Sequence, residues 1–415
     1  MVPTKPFALL KTFPLVVGSI TVHALLLLLL PLWGEVSPMA DVSLYGWWLD
    51  TTPGFEVLGI SRDWVYPFPA LVPMVLAKVL GLLLAGGNVL TGWILLLTVI
   101  DTMAILALVQ FGRSDRQSFV AAWFWLAFIF LLGPVAVARI DAVATAVALF
   151  GVLALSAGRI RSAVILFTFG AWIKIWPIAT ALAVFVADRA RKMIVLLGIA
   201  TSATILAAGW ALGGDASMFS FFTMQGNRGI QVEAPIATIW LWASKLGVPD
   251  TYIYFDQVML TNQIHGQNVE LIASLMNPAM LVAFLITAGL AFKAFRAGVD
   301  RNSIFAATAL TAVLDLIVFN KVGSPQFQGW LAVPIIAFVI FKQHGWRFAT
   351  ITGLVLAFLT NLIYPVFYLD LMGMGWTSIG LLTVRNLLLI GLLVWANIKL
   401  SGLSKSKPAE VAISR

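Results

Sequence analysis

Long apolar runs alternate along this chain with short polar links, and their lengths predict helices rather than strands. A bilayer core takes about 20 apolar residues per helix, and the first run, residues 12–33, meets that length. Further runs lie at 88–110, 119–132, 140–155, 194–212, 271–292, 303–319, 327–341, 348–368 and 377–398. Residues 66–85 differ: Pro67, Pro69 and Pro73 break the start and Lys78 sits mid-way. An interfacial helix is expected there rather than a crossing.

The polar links orient the runs. Basic clusters at Arg113/Arg116, Arg159/Arg161, Arg189/Arg191/Lys192, Lys293/Arg296/Arg301, Lys342/Arg347 and Lys399/Lys405/Lys407/Arg415 belong on the cytoplasmic side by the positive-inside rule. Residues 160–188, basic at both flanks, are too long for one helix and short for two. A hairpin of two short helices satisfies both flanks, with its tip at Trp172–Pro177, where the proline ends a helix. Lys174 then points into an outer cavity; a single span would bury it in hydrocarbon at a cost of about 2.5–3.5 kcal/mol. Gly133–Pro134 separates the runs on either side and leaves Arg139 and Asp141 at the outer surface. The pattern predicts a single all-α transmembrane domain over 1–415, a bundle of about 12 crossings with both termini inside. Residues 34–86 form a first external loop with interfacial helices. Residues 213–270 form a second, with a short apolar segment at 236–246. A cleaved signal peptide is the competing reading of the first run, but the run is too long and ends without a small-residue cleavage pattern. The polar tail after Lys399 is expected to be disordered.

Composition agrees with this pattern. Hydrophobic residues are 61% of the chain and charged residues 11%, with mean hydropathy +0.98, far on the membrane side of soluble averages. The net charge of +8 is spread through short loops, which argues against nucleic-acid binding. The absence of cysteine excludes disulfides, thiolate metal sites and a cysteine nucleophile. His23, His265 and His344 lie on different parts of the map, so no metal or other cofactor is expected. No G-x-x-x-x-G-K-[ST] motif is present, which argues against an ATP-driven pump.

The candidate chemistry sits in the first loop. Glu35, Asp41, Asp50, Glu56 and Asp63 are five of the chain's 18 acids, and Tyr45, Trp47, Trp48, Trp64 and Tyr66 lie among them. Aromatic faces pack on the apolar face of a sugar, and a carboxylate near a hydroxyl takes its proton during transfer. Asp41 is the first choice for that base, with Asp50 and Asp63 in reserve; the alternative is a helix-capping aspartate. Lys174 either binds a phosphate or snorkels to the interface. Arg228 and Glu233, like Arg139 and Asp141, are site groups or self-satisfied ion pairs. Gln326 binds a sugar or caps a helix. Asp101, Asp315 and Arg385 are read as bundle glue, and His23 as a satisfied core histidine.

Several motifs occur in one order: Asp41-Val-Ser-Leu-Tyr45, Tyr66-Pro-Phe-Pro69, Arg139-Ile-Asp141, Lys174-Ile-Trp-Pro177, Arg228-Gly-Ile-Gln-Val-Glu233, Ser324-Pro-Gln-Phe-Gln-Gly-Trp330 and Arg385-Asn386. Together they resemble the polyprenyl-phosphate-mannose-dependent mannosyltransferases of the GT-C class, the group of phosphatidylinositol-mannoside enzymes and glycosyltransferase family 87. The resemblance runs from Asp41 to Asn386. It departs at Phe68, where the family more often has a second proline, at Ala234, where it has serine, and at Phe327, where it has tyrosine. The resemblance implies a GT-C bundle in a cell membrane and an inverting transfer of a hexose, mannose first, on the extracytoplasmic face. The donor would be a polyprenyl-phosphate sugar and the acceptor a glycolipid. Asp41 matches the base, Lys174 and Arg228 the donor-phosphate ligands, and Tyr45, Tyr66, Arg139, Asp141, Glu233 and Gln326 substrate-binding positions. The rival class is a lipid or sugar transporter or flippase, whose inverted repeats do not show in this sequence.

Overall fold

The computed structural model describes residues 5–33, 36–110, 114–224 and 228–405. Glu35, Arg113, Asn227, Lys407 and Arg415 lie outside the described residues. The chain is an all-α polytopic membrane protein, with eight helices long and apolar enough to cross a membrane among the described residues. Shorter apolar helices lie at Asp141–Ser156, Ile160–Ile173, Ile178–Ala187 and Pro325–Ile340, over the sequence of the four other expected crossings, and at Phe68–Leu84, over the stretch expected to be interfacial.

The helices in chain order are α1 (Lys5–Leu28), α2 (Ala40–Thr51), α3 (Leu71–Leu84), α4 (Val89–Leu108), α5 (Arg116–Leu132), α6 (Asp141–Ser156), α7 (Ile160–Ile173), α8 (Ile178–Ala187) and α9 (Arg191–Ala211). Short α10 (Ser220–Thr223) and α11 (Thr238–Lys245) follow, then strands β1 (Tyr252–Asp256) and β2 (Thr261–His265). The chain continues with α12 (Val269–Arg296), α13 (Arg301–Val318), α14 (Ala332–Ile340), α15 (Trp346–Asn361), α16 (Tyr368–Met372) and α17 (Trp376–Leu403).

Local chemistry sets these boundaries. Asn88, Asp115 and Asp300 each accept a backbone N–H three residues on, satisfying donors that a helix start leaves open. The Asp115 cap starts α5 at Arg116, three residues before the expected 119. At the other end of α5, Gly133 adopts φ +67, a left-handed conformation that glycine takes without strain, and Pro134 follows. Residues 160–188 form two helices, α7 and α8, and the backbone between them is extended at Lys174 (φ −151, ψ 133).

Burial sorts the bundle. The α13 window is 78% buried, while those of α9 and α12 are 11% and 17%, so α13 is central and α9 and α12 face lipid. Beside α13, α14 is buried along nearly its whole length. Two expectations need correction. Residues 213–270 are expected as an external loop with a short apolar segment at 236–246. They also hold an antiparallel hairpin that pairs Tyr252 with His265 and Asp256 with Thr261. Period-2 alternation is weak there, and Asp256 sets the turn by accepting the Val258 and Met259 N–H groups. The tail after Lys399 is not disordered from its start, because α17 continues through Leu403.

Candidate active site

Segments far apart in sequence meet at one end of the bundle around a cavity of about 560 Å³, within the range of small-molecule sites. Of the nine expected site residues, Asp41, Tyr66, Arg139, Lys174, Arg228, Glu233 and Gln326 line it. Tyr45 and Asp141 lie one layer back.

Asp41 stands in the first turn of α2 and does not cap it: the N-cap is Met39 and makes no side-chain bond. Its Oδ2 instead receives Arg139 Nε at 2.7 Å, and its side chain stays 34% exposed. Arg139 is fixed from behind, donating through Nη1 to the Pro38 carbonyl at 2.7 Å and the Ala138 carbonyl at 3.0 Å. Tyr45 is buried and its hydroxyl accepts the Ile140 N–H at 3.0 Å. It locks α2 against the turn that presents Arg139 and Asp141, and it does not reach the cavity.

Arg139 and Asp141 do not pair with each other. Asp141 Oδ2 lies 3.6 Å from Lys174 Nζ, and its Oδ1 accepts the Trp330 indole N–H at 2.8 Å. Lys174 also stands 5.0 Å above the Tyr66 ring, within cation–π range. Burial alone would pull the Lys174 ammonium down, but Asp141, with Tyr66 and Asp41 behind it, more than offsets this and its pKa is raised. The amine is therefore a fixed cation at neutral pH.

Elsewhere along the cavity lining, loop 228–234 is stitched to loop 320–324. The Gln231 N–H donates to the Lys321 carbonyl at 2.9 Å, and Ser324 Oγ donates to Gln231 Oε1 at 3.2 Å. Gly323 packs so closely on Glu233 and Ala234 that a β-carbon would strike their backbone, which is why glycine stands there. Arg228 and Glu233 form no ion pair. The Arg228 Nε is buried without a hydrogen-bond partner, while Glu233 turns toward Tyr368 and Arg385. Arg385, buried in α17, donates to the Glu233 carbonyl and to Asn386 Oδ1. Burial lifts the Glu233 carboxyl from 4.5 to about 7, so it titrates near neutrality.

The aromatic walls differ from expectation. Tyr45, Trp48, Trp64 and Tyr66 pack on one another, Tyr45 and Trp48 stacked with ring centroids 5.9 Å apart and Trp64 and Tyr66 edge-to-face at 5.3 Å. Only Tyr66 of this group faces the cavity. The other aromatic residues lining it are Phe255, Phe327, Trp330, Tyr364 and Tyr368, from regions where aromatic residues are too common for sequence to single them out. Asp50 pairs with Lys78 at 2.6 Å and Glu56 with Arg62 at 3.2 Å; neither acid lines the cavity, nor does Asp63. Sequence reasoning also missed Lys321, Asn262 and Asn277, which do; Lys321 lies three residues before Ser324-Pro-Gln, and that proximity was the available signal.

Between Tyr66 and Lys174 the cavity meets a second space of about 360 Å³, an apolar groove lined by Pro67, Ala171, Trp172, Ile175, Ile178, Phe221 and Phe222. The intramembrane charges sit elsewhere. His23 is buried against Asp101, Nε2 to Oδ2 at 3.0 Å, with Nδ1 2.9 Å from the Ser19 carbonyl. Asp315 accepts from Thr287 Oγ1 at 2.7 Å. No cluster of metal-ligand residues occurs among the described residues.

A carboxylate, several cations and an apolar side groove thus converge at one cavity. The family model for glycosyltransferase family 87 matches residues 64–319, more than half of the chain, and the chain belongs to that family. Asp41, Gln326, Tyr364 and Tyr368 lie outside the matched stretch and join it only in space. No curated protein matches this chain.

Proposed function

We propose that this enzyme transfers a hexose, mannose in the first instance, from a polyprenyl-phosphate sugar to a lipid-linked glycan acceptor, with inversion, on the extracytoplasmic face of the cell membrane. The observation that carries the reading is one juxtaposition: Asp41 shares a cavity with Lys174 and Arg228, and that cavity opens into the apolar groove beside Lys174. The polyprenyl chain lies in the groove, which puts its phosphate at Lys174 and Arg228 and its sugar against Tyr66, Glu233 and Gln326. Arg139 holds one oxygen of Asp41, and the other accepts the acceptor hydroxyl's proton as the sugar leaves. Asp141 orients Lys174, and Tyr45 orients the turn carrying Arg139 and Asp141.

Two features support this against a transporter. The pocket at the opposite end, lined by Asp115, Arg116, Lys342 and Arg347 among others, shares no residue with the cavity, and buried α14 fills the bundle between. The basic residues of that far pocket also fit a cytoplasmic face, leaving the cavity on the other side. The test is incubation of purified protein with polyprenyl-phosphate-mannose and a panel of lipid glycans, with products read by mass. A single added hexose with loss of donor is the expected result; unchanged donor with every acceptor would overturn the reading.

A further inference from the structure

The end of the bundle away from the Asp41 cavity holds another pocket, of about 370 Å³. The start of α5 supplies Asp115, Arg116 and Val120 to its wall, and the α14–α15 link with the first turn of α15 supplies Lys342, Trp346 and Arg347. One acid thus faces three cations, and that acid is already engaged. Asp115 Oδ1 accepts the Ser118 N–H and hydroxyl, each at 3.1 Å, and its Oδ2 meets Lys342 Nζ at 2.9 Å. The Lys342 ammonium holds the Asp115 carboxyl below its usual range, so the pair that bridges the two segments stays ionised at neutral pH. Arg116 and Arg347 are left over. Neither enters an ion pair among the described residues, and the Arg347 guanidinium stands 5.4 Å over the neighbouring Trp346 ring.

A surplus of basic residues at one membrane face follows from orientation alone. What sets this pocket apart is the surface that leads from it. Arg116, Val120 and Trp123 recur at helical spacing along α5, and Arg347, Ile351 and Val355 along α15, so each helix carries its guanidinium and its apolar side chains on one face. Trp123, Ile351 and Val355 are exposed, and α5 and α15 pack on each other. Two apolar tracks therefore start at the pocket and run into the span.

We propose that this pocket binds an anionic phospholipid, with the phosphate between the Arg116 and Arg347 guanidiniums and the acyl chains along the Trp123 and Ile351–Val355 tracks. A guanidinium grips phosphate through two parallel N–H groups, and basic pockets between transmembrane helices are where such headgroups bind. The tracks select a lipid over a free phosphate ester, which buries no apolar surface there. The site shares no residue with the Asp41 cavity and does not depend on which sugar is transferred.

The test is native mass spectrometry of the full chain in detergent, with phosphatidylglycerol and phosphatidylcholine of identical chains added in equal amounts. The native protein should retain phosphatidylglycerol in about tenfold preference, and Arg116→Gln/Arg347→Gln should bring the ratio close to one. Arg116→Lys/Arg347→Lys should keep part of the preference, since charge remains without the planar fork, which separates loss of charge from loss of fold. Arg159→Gln/Arg161→Gln removes the same charge from another basic link and should leave the ratio native. A native ratio near one would overturn the inference, as would a double glutamine variant that keeps the native ratio. Equal loss in the Arg159/Arg161 variant would also overturn it, because a general surface field would then suffice. Glycerophosphoglycerol, the same headgroup without chains, should not displace the lipid at equal concentration; displacement would make this a site for a free phosphate ester and sink the lipid assignment.

Discussion

His23–Asp101 and the cavity cluster are both groups of ionisable side chains set among apolar helices, yet they are finished differently. His23 is fully buried, and both ring nitrogens are engaged, one by Asp101 and one by Ser19. Ser19 Oγ in turn bonds Thr102 at 2.8 Å, so α1 and α4 are joined by a closed polar seam. In the cavity the pairing stops short. Asp41 is bound at one oxygen and stays partly exposed, Asp141 Oδ2 has an ion pair but no hydrogen bond, and Arg228 Nε has none. Buried polar groups left incomplete are costly, and those at the cavity stand where a ligand's polar atoms can complete them. A closed cluster holds helices together; an open one is available for chemistry.

The largest effect expected from this contrast is at Asp41. Asp41→Asn keeps shape and hydrogen bonding but accepts no proton, so turnover should fall about 10²–10⁴-fold while donor binding and thermal unfolding stay near native. Near-normal turnover would return the base role to Asp50 or Asp63, despite their places outside the cavity. Next comes Lys174. Lys174→Ala should weaken donor binding and lower turnover about 10²-fold, and Lys174→Arg should restore part of both, since charge returns with another shape. Normal donor binding in the alanine variant would make this lysine an interface anchor.

The closed seam should respond in the opposite way. His23→Ala strands the Asp101 carboxyl and should cost about 1–3 kcal/mol of stability, read as a lower unfolding temperature in detergent, with kcat per folded molecule nearly unchanged. A large loss of kcat at native stability would erase the distinction between the clusters. The last effect is read through pH rather than through a lost contact, at Glu233. Its carboxyl titrates at about 7 when folded against 4.5 otherwise, so between those values the folded state holds a proton that the unfolded state has lost. Stability should therefore fall as pH rises from about 5 to about 8. Glu233→Gln should flatten that slope; an unchanged slope would assign it to another group.

Much of the fold could be read from the chain because a membrane helix is recorded in local sequence: its length, its apolar run and the charges at its ends. The α7–α8 break at Lys174–Pro177 was legible in that way, since both flanks are basic and a proline sits between them. The hairpin β1–β2 was not, because its register depends on Gln231 and Ile230 packing alongside it, a partnership absent from any local window. In the site, single residues were legible and partnerships were not. Arg139 and Asp141 were visible as a pair two residues apart, but their partners are Asp41 and Lys174, selected by how α2 and the α7–α8 tip come together. The aromatic residues of the first loop misled in the same way, since packing on one another satisfies most of them.

The apolar groove beside Lys174 is open at its flank, where Ile175, Ile178 and Phe222 are exposed. On the proposed reading, a lipid-linked donor carried there would arrive by diffusing within the leaflet and never pass through water. The quantity that saturates such an enzyme is then the mole fraction of donor among the surrounding lipids. Adding inert lipid or detergent at constant donor molarity would slow it as surely as withdrawing substrate.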